Sequence, residues 1–152
     1  MNLDILRTTS IFADLDEGEL ARIAETCQER TYQMGQAIFN EGEPGDCLFI
    51  VASGKVRISR IIPGSGEEAL AVLQPGACFG EMAVFERSTR STDAIADTTC
   101  VLVTISRSDF ETVLDFNREL AIKVLRSSVR LLSARLRQTN DNLRAFLAMS
   151  MF

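Results

Sequence analysis

An acid and an arginine nine positions apart, Glu81 and Arg90, bracket the stretch of this chain best suited to binding chemistry, FGEMAVFERSTRSTDAIA over residues 79–96. Gly80 permits a tight backbone entry, and Met82, Ala83, Val84 and Phe85 form one apolar helical turn. Glu86 to Thr89 follow as a polar bend. Amides at the start of a short helix lack intrahelical acceptors and carry partial positive charge, so they attract an anion. An arginine beside such a turn adds a fork of donors matched to phosphate oxygens. A carboxylate there repels phosphate and needs a donor instead, for which a ribose hydroxyl is suited. Amides, guanidinium and carboxylate together describe a pocket for a sugar phosphate with one net negative charge. The bland alternative is an ordinary turn closed by a surface Glu81–Arg90 ion pair. Arg87 is the rival arginine, set further into the bend and read as surface.

The elements that must position these residues follow from periodicity. Asp16 is a helix cap with Glu19 three residues on, and Leu15 can staple against Leu20. Leu20, Ile23, Ala24 and Cys27 then recur at helical spacing, which predicts a helix to about Glu29. From Arg30 to Ser106 the period is two. Short strands are predicted at residues 31–32, 37–40, 47–52, 55–60, 67–73, 77–79, 91–96 and 100–106, punctuated by glycine turns at Gly35, Gly42, Gly45, Gly54, Gly64, Gly66 and Gly76. About eight strands at such spacing predict a closed jelly-roll barrel. Alternating residues of 51–58 and 70–73 face inward, toward core and pocket.

After Ser106 the helical period returns. Ser106 or Ser108 caps a helix to about Phe116, and a longer one runs from about Asn117 to Leu147. Along it Leu125, Val129, Leu132, Leu136, Thr139, Leu143 and Phe146 form a heptad seam. A narrow seam of this length predicts a parallel homodimer through residues 118–147. Arg118, Lys123, Arg126, Arg130, Arg135, Arg137 and Arg144 lie mostly off it.

At F-G-E-M-A followed by R-S-T-D-A, the chain resembles the phosphate-binding cassette of cyclic-nucleotide-binding domains. The glycine pattern G-x-x-I-F-x-E-G-E-x-G-D, then F-I-V-x-S-G-K-V, extends the resemblance over almost the whole chain. It is closest to the sensory half of the bacterial cAMP receptor protein family, without the DNA-binding domain. The resemblance implies an α+β fold: an eight-stranded antiparallel β jelly-roll barrel with a short N-terminal helix, a cassette helix and a long C-terminal dimerisation helix. It implies one domain over residues 1–152, with a helical part at 1–29, the barrel at 30–106 and C-terminal helices at 107–152. By the same resemblance Glu81 holds the ribose 2′-hydroxyl. Arg90 and Ser91 hold the cyclic phosphate, with the backbone around Gly80, Met82 and Ala83. Thr139 contacts the base in its own subunit, and Asn140, where the family has serine, reaches the partner's ligand. The implied ligand is cAMP, or else cGMP, since the Ser91 hydroxyl serves either phosphate or a guanine amino group; a cyclic dinucleotide stays open. No cofactor is implied.

Composition bounds what else this chain can be. It has 152 residues, a net charge of −5 and 46% hydrophobic content, enough for one domain with a real core. Residues 107–152 carry 8 Lys/Arg against 5 Asp/Glu, while residues 1–106 carry 8 against 16. An acidic body with a mildly basic helix offers no basic reading face for nucleic acid. The four cysteines are widely spaced and histidine is absent, which disfavours metal sites, redox motifs and histidine general bases. No apolar run approaches the roughly 18 residues of a membrane span, and no secretion signal is present, so cytoplasmic residence is expected. The leading expectation is a non-enzymatic cyclic-nucleotide sensor whose C-terminal dimer helix signals to a protein effector. The alternative is the ligand-binding half of a transcription regulator that ends before its helix-turn-helix. A jelly-roll enzyme ranks third. Residues 145–152, AFLAMSMF, are an apolar tail that either completes the seam or forms a docking patch.

Overall fold

A computed structural model describes residues 3–151. Met1 and Asn2 of the expected N-terminal part, and Phe152 at the end of the tail, lie outside the described residues. Two short helical segments, α1 (Leu3–Thr8) and a 3-10 turn (Ser10–Phe12), lead into α2 (Glu17–Glu25). The Asp16 carboxylate accepts from the Glu19 amide at 2.8 Å, and the Asp16 amide donates to the Glu19 carboxylate at 3.0 Å. This is the reciprocal cap expected from the sequence.

The helix stops sooner than expected. Thr26 terminates α2, and Cys27, expected on its apolar stripe, instead opens β1 (Cys27–Tyr32) opposite Ile105. A stripe of period 3.6 says nothing about a partner strand. Here six residues of β8 offer a complete antiparallel ladder from Cys27 to Tyr32, and β-branched and aromatic Thr31 and Tyr32 fit it.

The remaining strands are β2 (Ala37–Phe39), β3 (Cys47–Ser53), β4 (Val56–Ile62), β5 (Gly66–Leu73), β6 (Cys78–Phe79), β7 (Asp93–Ala96) and β8 (Cys100–Ser106). They form two four-stranded antiparallel sheets, β1-β8-β3-β6 and β2-β7-β4-β5. The fold is therefore an α+β jelly roll of eight antiparallel strands. Gly54, with φ +79°, makes the turn between β3 and β4, and a Cβ there would lie 2.4 Å from the Thr99 carbonyl oxygen.

Period-two alternation on β3 divides the core in two. Phe49 and Val51 point between the sheets to meet Tyr32, Phe39, Val56, Phe79 and Leu102. Leu48 and Ile50 point the other way, into a cluster with Phe12, Ile23, Ile105, Phe110, Leu120 and Val124. That second cluster docks the helices α4 (Arg107–Phe116) and α5 (Arg118–Ser150). Ser106 caps α4 by accepting from the Asp109 amide, and Asn117 caps α5 by accepting from the Leu120 amide.

Burial of α5 against the body is confined to its first turns. Its buried residues are Leu120, Val124, Ser127 and Ser128. Lys123 donates to the Glu19 carboxylate at 2.7 Å, and Arg130 pairs with Asp14. Most of the heptad seam faces away from the body, with Val129 63% and Leu136 61% exposed. Among the described residues, no helix is long and apolar enough to cross a membrane.

Candidate functional site

The pocket is built around α3 (Glu81–Glu86), a six-residue helix following β6. Gly80 caps its start at φ +79°. A side chain there would be strained at this φ, and its Cβ would lie 2.6 Å from the Arg90 Nη1 atom. The helix ends at Arg87, itself left-handed at φ 56°. Arg87 is fixed on the surface by paired bonds to Glu111 at 3.0 Å each, which separates it from the pocket chemistry.

Arg90 is positioned from both sides of its backbone. Its amide donates to the Glu43 carbonyl at 2.8 Å, and its own carbonyl accepts from the Gly42 amide at 2.9 Å. The Gly45 amide reaches the Ser88 carbonyl at 3.3 Å. A Cβ on Gly45 would sit 2.1 Å from that of Ala83. The glycine-rich turn between β2 and β3 therefore exists to grip the loop that carries Arg90.

The Arg90 side chain is 4% exposed. Its Nη1 donates to the Gly80 carbonyl at 3.0 Å and its Nη2 to the Cys47 carbonyl at 2.7 Å. The guanidinium carbon lies 4.3 Å from the Phe39 ring centroid and 5.5 Å from that of Phe49. The Nε atom is buried and has no hydrogen-bond partner. Among the described residues no carboxylate forms an ion pair with Arg90. Burial pulls its pKa down from the usual guanidinium value, partly opposed by Cys47, Asp46 and Glu43. A buried cation without a counter-ion is costly. An anion entering the pocket beside the guanidinium would relieve that cost.

Glu81 has a different partner from the one the surface-turn alternative required. It is 2% exposed and takes a hydrogen bond from Arg135 of α5, not from Arg90. Arg135 also donates to the Cys78 carbonyl at 2.7 Å. Cation and anion of the cassette are thus held apart, one poised for an anion and the other bridged to the long helix.

A cavity of about 310 Å³ opens between these groups, within the size range of small-molecule sites. Gly80, Glu81, Met82, Ala83, Arg90 and Ser91 all line it, as do Glu86, Ser88, Thr89, Thr92 and Arg135. Ile58, Ala71 and Leu73 from β4 and β5, with Phe39 and Phe79, supply an apolar wall. Thr139 and Asn140 are not among the lining residues. Both are exposed on α5, and the Thr139 hydroxyl donates back to the Arg135 carbonyl at 2.9 Å. Arg135 is the pocket residue that sequence reasoning missed, grouped there with the arginines outside the seam. The available signal was its position one helical turn before Thr139.

The arrangement, a helix-start amide cluster beside an unpaired guanidinium and a buried carboxylate in a jelly roll, defines a class. The profile described as cyclic nucleotide-binding domain matches residues 29–117, and the chain belongs to that family. It is a cyclic nucleotide-binding regulatory domain related to the cAMP-receptor type of transcription regulator. The CRP-like cAMP-activated global transcriptional regulator of Mycobacterium tuberculosis is 33% identical over 140 residues, covering 92% of this chain and 61% of that protein. The cyclic AMP receptor protein of Thermus thermophilus is 34% identical, covering 89% of this chain and 61% of its own. The crystal structure of the N-terminal domain of a transcriptional regulator from Streptomyces coelicolor is 35% identical with a TM-score of 0.78, covering 92% and 95%. This chain thus spans about three fifths of the length of the curated relatives it matches.

Proposed function

We propose that this domain is a cAMP receptor that acts by binding alone and passes the signal along α5. The observation that carries the reading is Arg90: a buried guanidinium with an unpartnered Nε and no paired carboxylate, lining one cavity with the start of α3 and with Glu81. The cyclic phosphate takes Arg90, Ser91 and the amides near Ala83, and the ribose hydroxyl takes Glu81. Arg135 connects this event to the long helix, because it shares Glu81 with the sugar. The relatives from Mycobacterium tuberculosis and Thermus thermophilus, a cAMP-activated regulator and a cyclic AMP receptor protein, favour adenine over guanine.

The exposed stripe on α5 supports a parallel homodimer through residues 118–147. In the pair, Thr139 meets the base in its own subunit and Asn140 meets the partner's ligand. Ligand-bound pairs then change helix geometry and engage an effector, either a protein partner or a DNA-binding region of a longer chain. Only differential contact between the two helix arrangements can drive such a shift, typically by ~1–3 kcal/mol.

Titration calorimetry with cAMP, cGMP and cyclic dinucleotides tests this. Binding of cAMP tighter than cGMP, abolished in Arg90→Ala, is the expected result. Equal cAMP affinity in Arg90→Ala overturns the cassette assignment. Preference for cGMP or a dinucleotide overturns the ligand identity while leaving the site.

A further inference from the structure

The turn that grips the Arg90 loop is itself held from outside the pocket. Its hold on residues 88–90 is made of main-chain bonds: Gly42 to the Arg90 carbonyl, Arg90 to the Glu43 carbonyl, and Gly45 to the Ser88 carbonyl. Pro44 and Thr89 form an isolated bridge between the same two segments. Where residues 42–45 sit, the root of the Arg90 side chain sits too. The far side of the turn meets the start of α4. The Arg107 amide donates to the Asp46 carbonyl at 2.8 Å, and Arg107 Nη1 donates to the Gly45 carbonyl at 3.3 Å. Gly45 is therefore bonded to the Arg90 loop through its amide and to α4 through its carbonyl.

The acceptor that Arg107 uses is informative. Asp46, Glu111 and Asp115 line the same surface cavity as Arg107. Glu111 is taken by Arg87. Among the described residues Arg107 makes no ion pair, and its side chain bonds a main-chain carbonyl instead. A charged donor on a carbonyl makes a stronger bond than a neutral one, and so fixes the backbone it holds. We propose that Arg107 is a positioning residue for the pocket. Through Gly45 it sets the loop that carries Arg90, and with it the direction from which the guanidinium fork meets a cyclic phosphate. A fork is directional where a point charge is not, so its root must be placed. This rests on the phosphate role proposed above for Arg90.

Titration calorimetry of the full chain, with whichever of cAMP and cGMP binds the parent more tightly, tests the proposal in four variants. Arg107→Met keeps the stem and loses the donor. Arg107→Lys keeps one donor, which is all the Gly45 carbonyl uses. The others are Arg90→Lys and the double variant Arg107→Met, Arg90→Lys. Expected is affinity ~5-fold weaker in Arg107→Met, as for one lost hydrogen bond, and largely recovered in Arg107→Lys. The double variant should bind no more weakly than Arg90→Lys alone, because lysine at position 90 has no fork to aim. Parental affinity in Arg107→Met overturns the proposal, as do equal losses in Arg107→Met and Arg107→Lys. Losses that multiply in the double variant overturn it too, since Arg107 then acts independently of Arg90. Loss of fold in Arg107→Met, read by circular dichroism, makes the residue structural and also overturns it. A parent that binds neither nucleotide, or parental affinity in Arg90→Lys, overturns the reading of the pocket and this inference with it.

Discussion

Arg135 on α5 donates to the carboxylate of Glu81 on α3, 54 positions earlier, and so joins the base of the pocket to the helix that leaves the body. Glu81 is 2% exposed while the Arg135 side chain is 41% exposed. The acid cannot leave, and the arginine can. On the function proposed above, a ligand that shares Glu81 with Arg135 acts on the position of α5.

Arg135→Ala leaves the Glu81 carboxylate buried without its cation. A lost bond to a charged group costs about 1–3 kcal/mol, and the partial exposure of Arg135 places this pair toward the lower end. We expect a lower Tm by thermal denaturation, weaker cAMP binding by calorimetry, and partial recovery of both in Arg135→Lys. A Tm equal to that of the parent contradicts the bridge.

Arg90→Lys keeps the charge and loses the planar fork. The lysine ammonium cannot bond Gly80, Cys47 and phosphate together as the fork does. Cyclic-nucleotide affinity should fall at least ~10-fold, the equivalent of one lost hydrogen bond to a charged group. Equal affinity in the lysine variant would show that charge alone suffices.

Gly80→Ala introduces a methyl 2.6 Å from Arg90 Nη1 at a φ of +79°. Strain of this kind costs on the order of 1–3 kcal/mol. The variant should lose both thermal stability and ligand affinity, since the clash falls on Arg90, the side chain proposed to bind phosphate. Gly42→Ala, with nothing near its Cβ, carries only the backbone strain of its φ of +90°. It should lose stability with a smaller loss of affinity.

Leu132→Glu with Leu136→Glu places charges on the exposed seam. The paired chain should become a single chain by sedimentation, with its fold retained by circular dichroism, because neither residue belongs to the core. A single-chain mass for the parent rules the seam out as an interface.

Burial, with a smaller contribution from Asp46, pushes the Cys47 thiol up to about 11 from an unfolded value near 9.0. Between those values the folded state holds the proton that the unfolded chain has lost. Stability from this group is therefore complete below pH ~9 and falls as pH rises toward 11. Under reducing conditions the Tm of the parent should drop more steeply over that range than the Tm of Cys47→Ala. Parallel curves would show that Cys47 does not titrate differently on folding.

The cassette was legible because its chemistry is local. Gly80, Glu81 and the helix they open are contiguous, and the Asp16–Glu19 cap is readable for the same reason. Strand positions followed from period-two alternation and glycine turns, since each side chain's face depends only on its neighbours along the strand. Two things needed the assembled fold. The end of α2 was misplaced at about Glu29 because β1 exists only by pairing with β8, some seventy positions away. Arg135 was passed over because a helix pattern shows which face is charged and not what the folded chain sets opposite it. The surface-turn alternative failed on the same ground: whether Glu81 meets Arg90 depends on Cys47, Gly80 and α5, which three-dimensional packing brings between and beside them.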